Sequence, residues 1–491
     1  MTVAQAHAEA SKLVESLPTG ALIAGEWREA ADGSRLPVQD PATLEVLASV
    51  ADGSVDDATA AVDAAEAALP AWAATPPRQR AETLRRAFEL MSARAEELAT
   101  LVVLENGKAL ADARGEVAYA AEFFRWYAEE AVRNAGEVVT APSGANRILV
   151  LRQPIGVAVL VTPWNFPAAM LTRKIGPALA AGCAVVCKPA SETPLTALVI
   201  GEILADAGVP AGVVNVVPSS RSGAFVGKLL DDPRVRKLSF TGSTEVGRLL
   251  LERAARHVVS CSMELGGNAP FVVFDDADLG SAVAGAMIAK MRNGGEACTA
   301  ANRFFVQRGV AEEFSRRLAE AMGRLRVGPG LEQGVEVGPL VNEPSRAKVA
   351  ELVEGALDSG ASALVGGSVP GGTGWFYPPT VLAGVEPGSE ILRTEIFGPV
   401  APIVAFSDEA EATEMANDTE YGLVSYVYTR DLARGLRFAE AIESGMVGLN
   451  RGLVSDPAAP FGGVKESGIG REGGHEGMLE YLEAKYIAAS W

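Results

Sequence analysis

Short apolar strands alternate with amphipathic helices over residues 148–262, and the alternation restarts after about residue 266. This predicts an α/β protein built on two mostly parallel sheets. Two β-branched segments outside both series, 135–152 and 480–489, predict a further small β unit. At 491 residues the chain is too long for one core, so two or three domains are expected.

In chain order, an Ala-rich helix near 57–74 is followed by a long helical pattern over 77–104, which ends at Asn106-Gly107, where the glycine suits a left-handed C-cap. Strands are expected at 157–161, 184–187, 213–216 and 237–240, with helices at 171–181, 194–207, 222–230 and 244–257. Connections of this length imply right-handed crossovers and a sheet covered on both faces. A strand at 258–261 closes the first series. The second runs through a strand at 271–274, a helix at 278–292 and a strand at 303–307, then 423–428, 432–444 and 447–450. The stretches 147–152 and 485–487 read as strands that project and pair with another subunit.

Composition narrows the function classes. Apolar residues make up 48% and charged residues 21%, ordinary for a soluble enzyme. With 43 Lys and Arg against 62 Asp and Glu the net charge is −19, an acidic surface that repels nucleic acid and anionic membranes. Cys183, Cys187, Cys261 and Cys298 show no paired spacing and read as reduced thiols of a cytoplasmic protein. No His or Cys cluster completes a zinc site with Cys183 and Cys187, so no metal is expected. Residues 1–17 resemble neither a signal nor a transit peptide, and no apolar run reaches membrane length. Asn417-Asp418-Thr419 fits a glycosylation acceptor, a chance match in a chain without a secretory signal.

The chemistry centres on Cys298, in Arg-Asn-Gly-Gly-Glu-Ala-Cys-Thr (292–299), and on Glu264, in Met-Glu-Leu-Gly-Gly-Asn (263–268). Each is placed on a loop at the end of an element, where residues distant in sequence converge. Covalent catalysis through a thioester needs such a pair, a nucleophile and a base that activates water. The three histidines, His7, His257 and His475, lie in no stretch that looks like an active-site loop, so a carboxylate has to do the proton work.

Two segments carry cofactor signals. Phe240-Thr-Gly-Ser-Thr-Glu-Val-Gly247 follows a strand and opens a helix, so its N–H groups and Ser243 suit a pyrophosphate. Arg248-Leu249 follows where a triphosphate-binding loop would carry Lys-Ser or Lys-Thr. Lys188, at the carboxyl end of a parallel strand, stands where open α/β sheets bind cofactors. Gly468-Ile-Gly-Arg-Glu-Gly473 matches G-x-G-x-x-G but follows a loop and reads as a turn.

Taken together, Thr-Pro-Trp-Asn-Phe-Pro (162–167), the 240–247 segment, Glu264-Leu-Gly-Gly with Cys298, Glu-Ile-Phe-Gly-Pro (395–399) and Pro-Phe-Gly-Gly-Val-Lys-Glu-Ser-Gly (460–468) resemble the aldehyde dehydrogenase superfamily over essentially the whole chain. The resemblance implies a dinucleotide-binding domain (1–134 and 153–265), a catalytic domain (266–465) and a small β oligomerisation domain (135–152 and 466–491), assembled as a homodimer or homotetramer. It gives Cys298 the role of nucleophile, Asn165 that of oxyanion donor and Glu264 that of the base that hydrolyses the thioester. Relatives that release the acyl group to coenzyme A typically lack that base, so a free acid is the expected product. It assigns Trp164, Gly242, Ser243 and Gly247 to the cofactor phosphates, Lys188 and Ser191 to the adenosine ribose, and Leu265, Glu395 and Phe397 to the remaining cofactor contacts.

In NAD-preferring relatives a Glu commonly sits three residues after the lysine. Ser191 there leaves room for a 2′-phosphate beside Lys188, so NADP or NAD is expected, NADP slightly favoured, unless Glu192 turns inward. The pattern Leu-Thr-Arg-Lys-Ile-Gly-Pro-Ala-Leu-Ala-Ala-Gly-Cys (171–183) is similar to succinate-semialdehyde dehydrogenases. That likeness implies Arg173, Arg292 and Ser455 as the receptors of a distal carboxylate, which needs charge-assisted partners once desolvated. Ala300 replaces the second cysteine of some relatives, which rules out a disulfide in that loop. Arg451, where Glu or Thr is common, leaves a longer semialdehyde such as glutarate semialdehyde as the alternative.

Overall fold

A computed structural model describes residues 12–490; the part of the opening segment up to residue 11, with His7, and Trp491 lie outside the described residues. Among the described residues the first sheet has eight strands, in the order Gly468–Ile469, Ser260–Glu264, Val235–Thr241, Val157–Val161, Ala184–Lys188, Val214–Val216, Ala21–Ile23, Glu26–Arg28. The five central strands are parallel. The N-terminal hairpin and Gly468–Ile469 add antiparallel edges. Both faces are covered, which explains the unbroken apolar runs. Val157, Val159 and Val161 enter one core cluster, while Ala158 and Leu160 enter the other. From Val157–Val161 the chain winds outward through Ala184–Lys188 and Val214–Val216, then returns to place Val235–Thr241 on the opposite side. That reversal creates a crevice at the carboxyl ends of the two strands, where open α/β sheets bind ligands.

The second sheet has seven strands, in the order Ser362–Val365, Thr380–Ala383, Val400–Phe406, Ala301–Gln307, Ala269–Val273, Val424–Tyr428, Met446–Leu449. All pairings are parallel except that of Ser362–Val365. Its Phe271 ring stacks near Phe304, Phe314, Tyr426 and Tyr428. The chain leaves the carboxyl end of Ser260–Glu264 in the first sheet and enters the amino end of Ala269–Val273 in the second, so the two sheets meet at Glu264-Leu-Gly-Gly. No helix among the described residues is long and apolar enough to cross a membrane.

Three expectations change. The pattern over 77–104 is two helices, Pro77–Ala93 and Ala95–Asn106, broken at Arg94 (φ −99°, ψ 19°), whose guanidinium pairs with Glu97 and Glu202. The strand placed at 258–261 is Ser260–Glu264. Val258 is left-handed (φ 52°) and cannot extend, while parallel pairing as far as Thr241 opposite Glu264 carries the strand onward. Glu264 is therefore a strand residue, more firmly held than a loop would hold it. The turn expected at 468–473 begins as an edge strand: Gly468 and Ile469 pair with Glu264 and Met263. The two segments expected to pair with another subunit lie side by side in one small sheet. Leu482–Ala489 lies antiparallel to Arg147–Pro154, which also pairs with Glu137–Thr140.

Gly468 is required where it stands. Its φ is 145°, and an added Cβ would sit 1.9 Å from the Met263 carbonyl oxygen. Next to it, Ser467 accepts the Leu265 N–H at its carbonyl and donates its hydroxyl to the Gly266 carbonyl. Gly468→Ala is expected to cost about 2 kcal/mol and to lower activity by loosening Glu264. Urea denaturation together with an activity assay checks this; wild-type behaviour in both would contradict it.

Candidate active site

Three loops converge where the two sheets meet. The first, 162–166, leaves the strand Val157–Val161 and enters the helix Pro167–Ala181, which has Pro167 in its first turn. Asn165 is buried on this loop. Its Nδ2 donates to the Glu296 carbonyl at 3.0 Å, and its own carbonyl accepts from Lys108 Nζ at 2.7 Å and from Asn293 Nδ2 at 2.8 Å. Lys108 is paired with Glu116 at 2.5 Å, and Glu116 accepts the N–H groups of Ala168 and Ala169. This buried ion pair ties the amide's backbone to the start of the helix.

The loop that carries Cys298 turns through left-handed Asn293, Gly294 and Gly295 (φ 53°, 59° and 82°). A Cβ on Gly295 would lie 2.2 Å from the Gly398 carbonyl oxygen, and one on Gly267 would lie 2.7 Å from the Cys298 carbonyl oxygen. Only glycine permits both approaches. They bring Cys298 against the 395–399 loop on one side and the Glu264-Leu-Gly-Gly turn on the other.

A cavity of roughly 230 Å³ opens on this junction, lined by Trp164, Asn165, Thr241, Gly242, Ser243, Leu265, Cys298, Lys348, Glu395 and Phe397. Its donors fit a dinucleotide. Ser243 caps the helix Thr244–Ala254, and Thr241 Oγ1 is buried without a partner. A Cβ on Gly247 would meet Leu265 at 2.5 Å, so the helix start lies close under that side chain. Glu395 accepts the Gly267 N–H at 3.2 Å; burial pushes its carboxyl up to about 7, against the pull of that N–H, Lys348 and Lys290. Phe397 is left-handed (φ 56°), and its ring stands edge-on to Trp164 at 5.4 Å. Further along the crevice Lys188 ends its strand; burial lowers it to about 8 although Glu192 and Asp52 favour its charge. Ser191 donates to Glu192 Oε2 at 3.0 Å, so Glu192 is partly drawn toward the serine.

Behind Cys298 lies a charge cluster. Glu264 is buried, Oε2 has no partner, and burial and Glu472 push its carboxyl well above the usual carboxylate range against Arg173, Lys174 and Arg471. Arg173 is 1% exposed. Its Nε lies 2.5 Å from Glu472 Oε2, an ion pair without the alignment of a hydrogen bond, and its guanidinium covers the Phe461 ring at 4.2 Å. Lys174 also binds Glu472. Burial pushes the Cys298 thiol up to about 12, with Arg173 and Arg292 opposing and Glu264 and Glu395 adding to the rise. Cys298 and Glu264 therefore share one electrostatic environment.

A more open cleft of about 530 Å³ holds Arg292, Ser455 and Tyr119, and the Arg292 charge acts on Cys298. Arg292 Nη1 donates to Ser455 Oγ at 3.3 Å, and its guanidinium lies 4.7 Å from the Phe166 ring. Arg173 does not line this cleft but lies beside its Tyr119, and its guanidinium is paired with Glu472. Arg451 is exposed and bonds the Leu453 carbonyl. Of the histidines, His475 pairs with Glu130 and His257 lies in the short turn that follows Thr244–Ala254.

Sequence reading missed Lys108, Glu116, Asn293, Tyr119, Lys348 and Glu472. Asp112, Glu116 and Tyr119 have helical spacing on Leu110–Glu130, a stripe that could have flagged one face of a cleft. Glu472 stood in the segment read as a turn.

The model of the aldehyde dehydrogenase family matches residues 27–487. A succinate-semialdehyde dehydrogenase of Paenarthrobacter nicotinovorans is 57% identical over 90% of this chain and 98% of its own length. A glutarate-semialdehyde dehydrogenase of Pseudomonas putida is 51% identical over 96% and 97%. The crystal structure of an Escherichia coli NADP-dependent enzyme superposes with a TM-score of 0.96 at 49% identity, covering 98% of this chain and 99% of that one. The chain belongs to the aldehyde dehydrogenase family.

Proposed function

We propose that this enzyme oxidises succinate semialdehyde to succinate with NADP⁺ or NAD⁺. The observation that carries the reading is the Arg292–Ser455 pair, set in a cleft separate from the dinucleotide cavity, with Arg292 near enough for its charge to act on Cys298. A short chain with an aldehyde at one end and a carboxylate at the other spans that arrangement. Cys298 releases its thiol proton to water and Sγ bonds the aldehyde carbon as the C=O π pair moves onto oxygen, where Asn165 Nδ2 and the Cys298 N–H receive the charge; one such donor is worth about 10²–10³ in rate. A bound nicotinamide supplies the hydride acceptor. Glu264, buried with an unpartnered oxygen, then takes a proton from water as that water's oxygen attacks the thioester and the acid leaves. Arg292 and Ser455 hold the distal carboxylate, and Arg173 adds positive potential from behind the thiol.

Trp164, Gly242, Ser243 and Gly247 would hold the phosphates, Glu395 the nicotinamide ribose, and Leu265 and Phe397 the ring region. Lys188 and Ser191 would hold the adenosine ribose. Ser191 brings no negative charge against a 2′-phosphate, which favours NADP⁺; the partial turn of Glu192 toward Ser191 keeps NAD⁺ competitive. The cofactor unit is assigned to 1–134 and 153–265, the catalytic unit to 266–465, and oligomerisation to 135–152 and 466–491. Val138, Val139, Leu151, Tyr486 and Ile487 are exposed on the three-stranded sheet and supply an apolar surface for a homodimer or homotetramer. A cytoplasmic enzyme is the reading we adopt. Glutarate semialdehyde is the second substrate reading, favoured by the open form of the Arg292 cleft; a panel of semialdehydes of different length separates the two.

Cys298→Ala should give no reduced cofactor, whereas Glu264→Gln should give a burst of about one equivalent per site followed by slow turnover. Stopped-flow absorbance decides this, and a missing burst in the Glu264 variant would move its role to thiol activation. Since Glu264 acts as a base and its carboxyl is raised, wild-type kcat should fall with decreasing pH well above the usual carboxylate range.

Arg292→Leu should lower kcat/KM for succinate semialdehyde on the order of 100-fold and change butanal little. Equal losses on both aldehydes would refute the carboxylate assignment.

Lys188 is charged below about 8 and neutral above it, so the KM for NADP⁺ should climb as pH rises past 8 while that for NAD⁺ changes less. Parallel pH profiles for the two cofactors would remove Lys188 from 2′-phosphate binding.

A further inference from the structure

The helix Leu110–Glu130 presents Tyr119 to the cleft that contains Arg292 and Ser455. The ring is half-buried and held by an edge-on contact to Phe123, with centroids 4.8 Å apart. Its far end is another matter: the hydroxyl is buried and has no hydrogen-bond partner. Leaving a buried hydroxyl unpaired costs about 1–3 kcal/mol, so a group of this kind points to a ligand that completes it. The Arg292 guanidinium lies 5.7 Å from the same ring. Arg173, Arg292 and Cys298 act on the hydroxyl through their charges, and Arg173 also as a donor toward its oxygen, short of a formed hydrogen bond; a guanidinium only donates, so the phenolic O–H itself stays free.

Three acids line this cleft, Asp112, Glu116 and Glu336; Glu336 accepts the Arg326 N–H, and burial raises the Asp112 carboxyl toward its neutral form. Glu116 is taken by Lys108 and by two helix N–H groups, and Asp112 accepts the Asn293 N–H at 2.8 Å. Arg173 is matched by Glu472. That leaves Arg292, a single hydroxyl at Ser455 and the unpaired hydroxyl of Tyr119 to receive a carboxylate with two oxygens. Two oxygens offer about four lone-pair sites, more than a guanidinium and one serine fill.

We propose that Tyr119 is a specificity-determining residue that donates its phenolic O–H to the distal carboxylate of the substrate, completing a three-donor site with Arg292 and Ser455. The inference rests on the semialdehyde reading above and deepens it. Arg292 supplies the charge; Tyr119 supplies a directed donor on the Cys298 side, where a carboxylate only a few bonds from the reacting carbon has to turn. A rigid ring fixed against Phe123 loses little freedom on binding, which suits a group that sets substrate length.

The test is Tyr119→Phe, which removes one oxygen and keeps the ring, the Phe123 contact and the Arg292 contact. kcat/KM for succinate semialdehyde should fall about 10-fold or more, mostly through KM, as expected for loss of a hydrogen bond to a charged group. Butanal, of the same carbon count without the carboxylate, should change less than about two-fold, and so should the KM for cofactor. Arg292→Leu is measured in parallel. Selective loss in the Arg292 variant with an unselective or unchanged Tyr119 variant overturns the role of Tyr119 and leaves the semialdehyde reading standing. Unselective loss in both overturns that reading and this inference with it. An unchanged thermal unfolding curve for Tyr119→Phe excludes a folding defect as the cause of any loss.

Discussion

The close approach of backbone to backbone at Cys298 is the constraint on which the site depends. Gly267 lies against the Cys298 carbonyl and Gly295 against the Gly398 carbonyl, each at a separation that any Cβ would violate. These contacts join the carboxyl ends of the first sheet to the amino ends of the second. A nucleophile fixed in this way needs no hydrogen-bonding side chain to aim it. Its aim comes from where two sheets are forced to meet, and Asn165 is registered to the same point through Glu296. Misplacement of reacting groups by about 1 Å can cost on the order of 100-fold in rate, so tolerance for a side chain at those glycines is small.

Once the geometry is fixed, the electrostatics around it follow from burial. Arg173, Lys174 and Glu472 form a desolvated cluster in which two cations share one carboxylate, and Glu264 adds a second. Such clusters gain little stability over apolar packing, but removing one member typically costs 3–5 kcal/mol because it leaves a bare buried charge. Glu472 is held below the ordinary carboxylate range because Arg173 and Lys174 outweigh burial. Glu264, with Glu472 already charged beside it, is pushed the other way. Two carboxyls a short distance apart thus acquire opposite behaviour, one a permanent counter-ion and one able to take and give a proton.

Much of this was legible in the sequence, for identifiable reasons. Val157–Val161, Pro194–Asp206 and Ser222–Leu230 were readable because an unbroken apolar run, a proline in the first helical turn and helically spaced apolar residues carry their signal locally. The segments around Glu264 and Cys298 were readable as motifs. The sequence-distant partners were not. Glu472 looked like part of a glycine-rich turn, and nothing local says that it faces residues some three hundred positions earlier. The pairing of Arg147–Pro154 with Leu482–Ala489 was missed for the same reason: period-two patterning identifies a strand but not its neighbour. Arg173 shows the limit from another side. Its likeness to a carboxylate receptor was visible in the chain, but its pairing with Glu472 is visible only in three dimensions.

The raised thiol of Cys298 fits this arrangement. In the resting site burial outweighs Arg173 and Arg292, so the sulfur stays protonated and poorly nucleophilic at neutral pH. A positive charge brought into the cavity beside Glu395 would act on the thiolate through the same low-dielectric medium that now opposes it. It would also offset the Glu395 carboxylate, one of the groups holding the thiol up. An oxidised nicotinamide ring carries such a charge. A cofactor held there as proposed would therefore lower the cost of forming the thiolate only when the hydride acceptor is in place, and a thiol kept neutral until then is shielded from oxidation and from unproductive attack on passing electrophiles.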